Sequence, residues 1–331
     1  MIRHVRLLAT GGTIATTTDP GTGRSAPTLG PDVGALAAVD GVEVSVEVVA
    51  GKPSWALSPA DMVAIAGRAA AVAREPGVDG VVVTHGTTTL EYTAFLADLL
   101  VDGDVPVVLT GAMRRANDPD PDGPANLRDS IAVAASAEAR GSGAIVVFAG
   151  RIIAGRHVWK ADRSRVDAFV DLSGARRTCA DLSAGLSLGR RKSRIGFRPA
   201  IEPNVGFVKV VPGSSGAMID AALAAGPTGL VIEALPGSGG ITPWALPALS
   251  AAAARIPVVI ASRAPFGTQA RVPTGGTGEP LVGIPLLSAG RLSAEAAWLL
   301  LMVVLGQGPQ DPAAIRAAFD RVAHDDPAGA P

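Results

Sequence analysis

The sequence has few of the features that would mark a secreted, membrane-spanning or nucleic-acid-binding protein. It contains a single cysteine, Cys179, so no disulfide can form within the chain and nothing indicates an oxidising compartment. No apolar run is long enough to cross a bilayer, and the N-terminal run is too short for a signal peptide and is interrupted by Arg6. With 29 basic and 30 acidic residues, the net charge of −1 predicts no binding to nucleic acid or to anionic membranes. We therefore expect a soluble, cytoplasmic protein.

Lysine is also scarce, because arginine carries most of the positive charge. The lysines are Lys52, Lys160, Lys192 and Lys209. A lysine can lose its proton near neutral pH once it is desolvated or placed near another charge, whereas an arginine does not. Each lysine is therefore a candidate for proton transfer, although we expect an ordinary surface role for most of them.

Motifs for nucleotides and metals are missing as well. The segment ATGGTIA lacks the spacing of GxGxxG, and neither GxxxxGK[ST] nor GxSxG occurs. The histidines have no metal-ligand spacing, so no metal site is expected. They are His4, His85, His157 and His324. For His85, which precedes a run of three threonines, we predict a packed, hydrogen-bonded side chain.

The length and the residue pattern are typical of a two-domain globular protein. The chain has 331 residues, of which 48% are hydrophobic and 18% charged. Short apolar runs such as GVVVTH and VPVVLTG alternate with alanine-rich helical patterns, which predicts an α/β fold with a mostly parallel sheet. The pattern SPAD predicts a helix capped by Ser58. We predict an N-terminal α/β domain over 1–190, a linker over 191–204 and a C-terminal α/β domain over 205–331.

Threonine and glycine follow three of the predicted strands, in ATGGTIA, VTHGTTTLEYTA and VLTGAMR. Sites in open α/β sheets form at the carboxyl ends of strands. Glycine exposes backbone N–H groups that can hold an anion, and a threonine hydroxyl can be a nucleophile if a base is near. Ordinary loop chemistry gives the same residues, and on this pattern alone we prefer that interpretation.

Taken together, five motifs resemble the bacterial-type L-asparaginase family in their order and spacing. They are TGGTIA (10–15), THGTTTLEYTA (84–94), LTGAMR (109–114), DGPANL (122–127) and VWKADRSRVDAF (158–169). GLVIEALPGSGG and PVVIASR are similar to the family's C-terminal domain. The resemblance implies a larger N-terminal domain with a mostly parallel sheet and a smaller C-terminal α/β domain. It also implies hydrolysis of a small side-chain amide through a threonine acyl-enzyme, without cofactor or metal, in a homodimer or homotetramer with the site at the subunit interface.

The resemblance also assigns the site residues. Thr13 corresponds to the nucleophile, Thr87 to a second threonine and Lys160 to a lysine, and the last two would relay a proton and activate water. Ser54 corresponds to a serine that binds the substrate carboxylate, and Trp55 follows it. The positions corresponding to backbone contacts with substrate are Gly12, Gly86 and Ala112.

The chain departs from the family pattern beside the second threonine, where G-T-D-T reads Gly86-Thr87-Thr88-Thr89. The family's aspartate pairs with the substrate α-ammonium and belongs to a Thr–Lys–Asp cluster. Thr88, which we place in the substrate site, forms hydrogen bonds but carries no charge. Removing one partner of a buried charge pair costs about 3–5 kcal/mol, so the change is large.

Other departures affect the same part of the site. The loop that carries a tyrosine in the family has none, and Pro27 stands about there. The only tyrosine, Tyr92, replaces an acid, and Trp55 replaces a small or polar residue. The family's GxGN reads GSGG at 237–240, and Glu279 is the nearest candidate for an acid from the partner subunit.

These losses weaken the features that hold a free amino-acid ammonium but keep Thr13, Thr87 and Lys160. We hypothesise an amidohydrolase whose substrate lacks a free α-ammonium, or is bulkier and more apolar, with Trp55 and Tyr92 near the pocket. Three alternatives stay open: an ordinary asparaginase with compensating groups, a non-catalytic member that binds a small amide or carboxylate, and an introduced substitution at residue 88.

Overall fold

The computed structural model describes residues 2–18, 25–27, 38–190, 195–237, 239–273, 281–309 and 311–323. It divides into two compact units, Met1–Pro199 and Ala200–Pro331. Residues 191–194 of the predicted linker lie outside the described residues, and the boundaries at 190 and 204 stay predictions.

The first unit is built on a six-stranded sheet. Its strands and helices in chain order are β1 (Arg3–Ala9), β2 (Thr16–Thr18), β3 (Ser25–Pro27), β4 (Val42–Val48), α1 (Pro59–Val72), β5 (Gly80–Thr84), α2 (Leu90–Leu100), β6 (Val107–Thr110), α3 (Gly123–Ala135), β7 (Ala144–Phe148), β8 (Arg151–Ala154), β9 (Val158–Lys160), β10 (Phe169–Asp171) and α4 (Cys179–Ser183). The strand order is β4-β1-β5-β6-β7-β8, and the pairs are parallel except for β7 with β8. Two antiparallel hairpins, β2–β3 and β9–β10, lie outside this sheet.

The second unit is smaller and is also built on a sheet of parallel strands. Its elements are β11 (Val205–Lys209), α5 (Ala217–Ala224), β12 (Gly229–Ala234), α6 (Leu246–Ala253), β13 (Val258–Ser262), β14 (Leu286–Ser288), α7 (Ala294–Gly306) and α8 (Pro312–Ala323). The four strands are parallel in the order β11-β12-β13-β14. A larger mostly parallel sheet unit followed by a smaller parallel one confirms the predicted fold class.

Local sequence explains the central elements. Every residue of β5, β6 and β7 is buried, as continuous apolar strands covered on both faces should be. The predicted start of α1 is confirmed: the Ser58 hydroxyl accepts the backbone N–H of Asp61, and the Asp61 carboxylate accepts the N–H of Ser58, with Pro59 in the first turn. Within the described ranges, no helix is both long and apolar enough to span a membrane.

The strands β1, β5 and β6 end at the same edge of the sheet. Ala9 at the end of β1 pairs in register with Thr84 of β5, and Thr84 pairs with Thr110 of β6. The Thr10 hydroxyl donates to the Thr84 carbonyl at 2.7 Å, and the His85 N–H donates to the Thr110 carbonyl at 2.7 Å. The loops after these strands therefore leave the sheet side by side, which places the three threonine- and glycine-rich motifs together.

Candidate active site

The loop after β1 packs directly on the loop after β5. Gly12 has φ of +91°, and a Cβ there would come within 2.6 Å of the Gly86 nitrogen, so only glycine fits. Thr13 follows in a 3₁₀ turn, Thr13–Ala15, and is half-buried. Ile14 is buried, and a Cβ on Gly123 would come within 3.0 Å of its Cγ1. The backbone of Thr13 is thus held between the Gly86 loop and the start of α3.

A second close approach holds Ser54 against the same loop. A Cβ on Gly86 would come within 2.4 Å of the Ser54 hydroxyl oxygen. Thr89 is the N-cap of α2, yet its hydroxyl donates 2.9 Å to the Ser54 carbonyl and does not cap the helix. Ser54 is buried, while the neighbouring Trp55 is 74% exposed. The structure therefore brings Gly12, Gly86 and Ser54 together, with Trp55 pointing outward from this cluster.

Thr87 and Lys160 are in direct contact. The Lys160 Nζ donates to the Thr87 Oγ1 at 2.8 Å, across 73 positions of sequence, and Thr87 is buried. Lys160 ends β9, and its ammonium lies 5.9 Å from the centre of the Phe169 ring in β10. Burial lowers the pKa of Lys160, against the opposing charges of Glu91 and Asp162. This contact joins a hydroxyl to an amine whose proton is held less tightly than usual.

An open cavity of about 580 Å³ lies beside this pair. Thr88, Lys160, Ala161, Asp162 and Arg163 line it. Thr88 is exposed and uncharged, so it adds a neutral hydroxyl to the wall of this cavity. The Asp162 carboxylate accepts the backbone N–H groups of Arg165 and Ser164, which hold its pKa below the usual range. Trp55 and Tyr92 are not among the residues that line this cavity.

The third loop is held by groups that sequence reasoning did not assign. Asp122 accepts the backbone N–H groups of Met113 and Arg114 at 3.0 and 2.9 Å. Asn126 donates to the Gly111 carbonyl at 3.0 Å and accepts the Ala149 N–H at 2.9 Å. The fully buried Ala112 lies between these anchored residues. Asp122 and Asn126 stand four residues apart within the motif DGPANL, and this spacing was the available signal.

The predicted histidine environment is confirmed. His85 is fully buried, with Nδ1 2.9 Å from the Gly86 carbonyl and Nε2 2.9 Å from the Thr93 hydroxyl. Since a carbonyl only accepts, Nδ1 carries the proton and Nε2 accepts from Thr93. Burial lowers the pKa of His85 to about 4, so the ring is neutral. Its contacts support the Gly86 turn and do not reach into the cavity.

Other predicted positions have no described contact with Thr87 or Lys160, or lie outside the described residues. No hydrogen bond of the Thr13 hydroxyl to Thr87 or Lys160 occurs in the part of the chain that the structure describes. Pro27 ends β3, Ser238 of the GSGG segment lies outside the described residues, and so does Glu279. Among the described residues, no group of three or more His, Cys, Asp or Glu side chains could hold a metal ion.

Comparison with known proteins identifies the family. The family description "Asparaginase, N-terminal" matches residues 4–181, and "Glutaminase/Asparaginase C-terminal domain" matches residues 204–319. A probable L-asparaginase of Deinococcus radiodurans is 39% identical over 310 residues, covering 92% of this chain and 94% of that protein.

Solved structures agree over nearly the whole chain. The thermostable L-asparaginase of Thermococcus kodakarensis superimposes with a TM-score of 0.83 and 29% identity, covering 98% of this chain and 100% of the other. A probable cytoplasmic L-asparaginase of Campylobacter jejuni gives a TM-score of 0.78 and 26% identity, covering 96% and 99%. Both domains and the full length match, and the chain therefore belongs to the asparaginase family.

Proposed function

We propose that the protein hydrolyses the side-chain carboxamide of L-asparagine or a related amide through an acyl-enzyme on Thr13, releasing ammonia. Membership of the family makes the chain an amidohydrolase that acts on amides. The observation that carries the residue assignment is the 2.8 Å hydrogen bond between the Lys160 Nζ and the Thr87 hydroxyl. A binding protein without chemistry would not require a partly desolvated lysine on a buried threonine, so we favour catalysis over the non-catalytic alternative.

The proposed reaction has two halves. The Thr13 hydroxyl attacks the amide carbon, its proton leaves towards Thr87 and neutral Lys160, and the C–N bond breaks as the nitrogen takes up a proton to leave as ammonia. Water then attacks the Thr13 ester, loses a proton along the same path, and returns the hydroxyl to Thr13. Because the acceptor must be neutral, the lowered pKa of Lys160 supports this role.

The substrate contacts follow from the packed loops. The Ser54 hydroxyl would bind the substrate carboxylate. Gly12 and Gly86 would allow the backbone to approach the substrate closely, and the loop at Ala112 would contribute a further backbone contact. Backbone N–H groups of these loops would stabilise the oxyanion.

A second candidate substrate class is favoured by Thr88. The cavity beside Lys160 offers an uncharged hydroxyl where a carboxylate would hold an α-ammonium, and Arg163 adds a positive charge to its wall. This arrangement favours a carboxylate-bearing amide without a free α-ammonium, such as an N-acylated or deaminated analogue of asparagine. Asp162 on the same wall is the group that would keep L-asparagine a substrate.

We also propose a cytoplasmic homodimer or homotetramer with the site completed by a partner subunit. The Campylobacter jejuni relative is described as cytoplasmic. A large aromatic side chain next to Ser54 that is 74% exposed in the single chain, Trp55, supports a covering partner. Light scattering of the purified protein would test the assembly, and a monomer at full activity would refute it.

The decisive experiment is ammonia release from L-asparagine, L-glutamine and N-acetyl-L-asparagine. We expect Thr13→Ala to abolish turnover and Lys160→Met to reduce kcat by about 10²–10⁴, the usual contribution of a positioned acid or base. Thr228→Ala, an exposed threonine in the second unit, is the matched control and should keep wild-type turnover. A folded wild-type chain that releases no ammonia from any of these amides would favour the binding protein.

A further inference from the structure

We propose that Glu91 is a positioning residue that orients Lys160 towards Thr87 and whose negative charge favours the protonated form of the Lys160 amine. The inference deepens the proposed function and rests on it. It starts from a residue that lies within the motif THGTTTLEYTA but was given no role there: the Glu91 carboxylate accepts the backbone N–H of Lys160.

One short segment binds both the side chain and the backbone of Lys160. Thr87 and Glu91 lie four residues apart, across the loop after β5 and the first turn of α2. Thr87 contacts the Lys160 side chain through Nζ, while Glu91 contacts the same residue through its backbone nitrogen. Because β9 has only three residues and pairs with the equally short β10, the hairpin offers little rigidity of its own. The Glu91 contact therefore fixes the hairpin end that carries the amine.

The charges around Lys160 single out the same carboxylate. From α2 it faces Glu91, from the segment after β9 it faces Asp162 and Arg163, and from β10 it faces the uncharged Phe169 ring. Asp162 is half-buried and its carboxylate already accepts two backbone N–H groups, which offset part of its charge. Asp171 of β10 is bound to Ser173. Of the two carboxylates whose charges act on the Lys160 ammonium, Glu91 has the larger effect and is anchored to the backbone of Lys160 itself.

Two substitutions separate position from charge. Glu91→Gln keeps an oxygen that can accept the Lys160 N–H but removes the charge. Glu91→Ala removes both. A negative neighbour favours protonated lysine, so its loss makes the proton easier to remove. The limb of the activity profile that requires neutral Lys160 should therefore move to lower pH in both variants. Glu91→Ala should also lose about tenfold or more in kcat, as expected for a missing charge-assisted hydrogen bond that aligns the amine.

The test that does not need turnover is competitive acetylation. Trace acetic anhydride modifies only neutral amines, and the chain has few lysines, so each can be followed by peptide mass spectrometry across pH. In Glu91→Gln we expect the labelling midpoint of Lys160 to move to lower pH. Lys52 and Lys209, each paired to another carboxylate, serve as internal references and should not move.

The control for a general charge effect is Asp162→Asn, which removes one negative charge from the cavity wall. Its shift of the Lys160 midpoint should be smaller than that of Glu91→Gln. An unchanged Lys160 midpoint in Glu91→Gln, or a larger shift in Asp162→Asn, would overturn the inference. Should the wild-type chain prove inactive on every amide, the proposed function fails, but the labelling result still decides the role of Glu91.

Discussion

Introducing a carboxylate at residue 88 tests whether this position determines the preference for L-asparagine over amides without an α-ammonium. Thr88 is exposed and shares an open cavity of about 580 Å³ with Lys160, which is within the usual size of a small-molecule site. Thr88→Asp would place a negative charge at this wall, where the substrate's α-ammonium is expected. The neutral, isosteric control is Thr88→Asn.

The size of the gain in kcat/KM depends on how much water the bound substrate excludes from the cavity. An ion pair that stays exposed contributes about 0.2–1 kcal/mol, or at most about fivefold in kcat/KM. A pair enclosed between protein and substrate is worth about 3–5 kcal/mol by the cost of removing one partner, or about 10²–10⁴ in kcat/KM. Because a bound substrate would exclude water from part of this open cavity, we expect a gain between these limits, of at least tenfold, on L-asparagine.

The assay compares kcat/KM for L-asparagine and for succinamate, which has the same amide and carboxylate but no ammonium. Thr88→Asp should improve only L-asparagine, while Thr88→Asn should improve neither. The added charge also favours protonated Lys160, so the low-pH limb should move to higher pH, and rates must be compared on the plateau. An equal gain on both substrates, or a fall on both, would refute the assignment of residue 88 to the ammonium position.

Three further changes test how the site is held. Gly12→Ala forces a φ of +91° on alanine and a Cβ 2.6 Å from the Gly86 nitrogen, so urea unfolding should show a loss of about 1–3 kcal/mol or more, with activity lost as well. Asn126→Leu leaves the buried Gly111 carbonyl without its donor, and the same titration should show a loss of about 1–3 kcal/mol. His85, with its pKa lowered to about 4, adds stability that is complete above pH 6.5 and lost as pH falls towards 4, amounting to about 3 kcal/mol. His85→Gln should flatten this dependence, and a wild-type unfolding free energy that stays constant between pH 7 and 4 would contradict it.

Local signals were enough to predict that the threonine- and glycine-rich loops follow strands, but not that these loops form a site. Buried apolar runs end at one edge of a parallel sheet, which placed the loops, whereas the resemblance alone assigned Gly12 and Gly86 to substrate contacts. Ser58 could be recognised as a cap because its partner, Asp61, is three residues away. For this cap, both residues lie within one helical turn, so a short stretch of sequence is enough to predict it.

The pairing of Thr87 with Lys160 could not be predicted from local pattern. The two residues are 73 positions apart, and Lys160 lies on a hairpin whose strands have three residues each, too short to show an alternating pattern. Only the resemblance to a family assigned both to one site. Glu91 was missed for a different reason: an acid in the first turn of a helix is already explained by the helix dipole, so nothing in the sequence demands a second role.

Glu91 also bears on how a site of this family can carry threonine at position 88. A carboxylate at residue 88 would face the cavity, where it could interact with both the substrate ammonium and Lys160. Glu91 binds the backbone of Lys160 from α2 and is not among the residues that line the cavity, so it can interact with Lys160 without contacting the substrate. With the interaction with Lys160 made by Glu91, a neutral residue 88 would preserve proton transfer by Lys160 while removing the attraction for a substrate α-ammonium. Hence Thr88→Asp and Glu91→Gln should act on different quantities: the first on discrimination between L-asparagine and succinamate, the second on the pH dependence of Lys160 with both substrates alike.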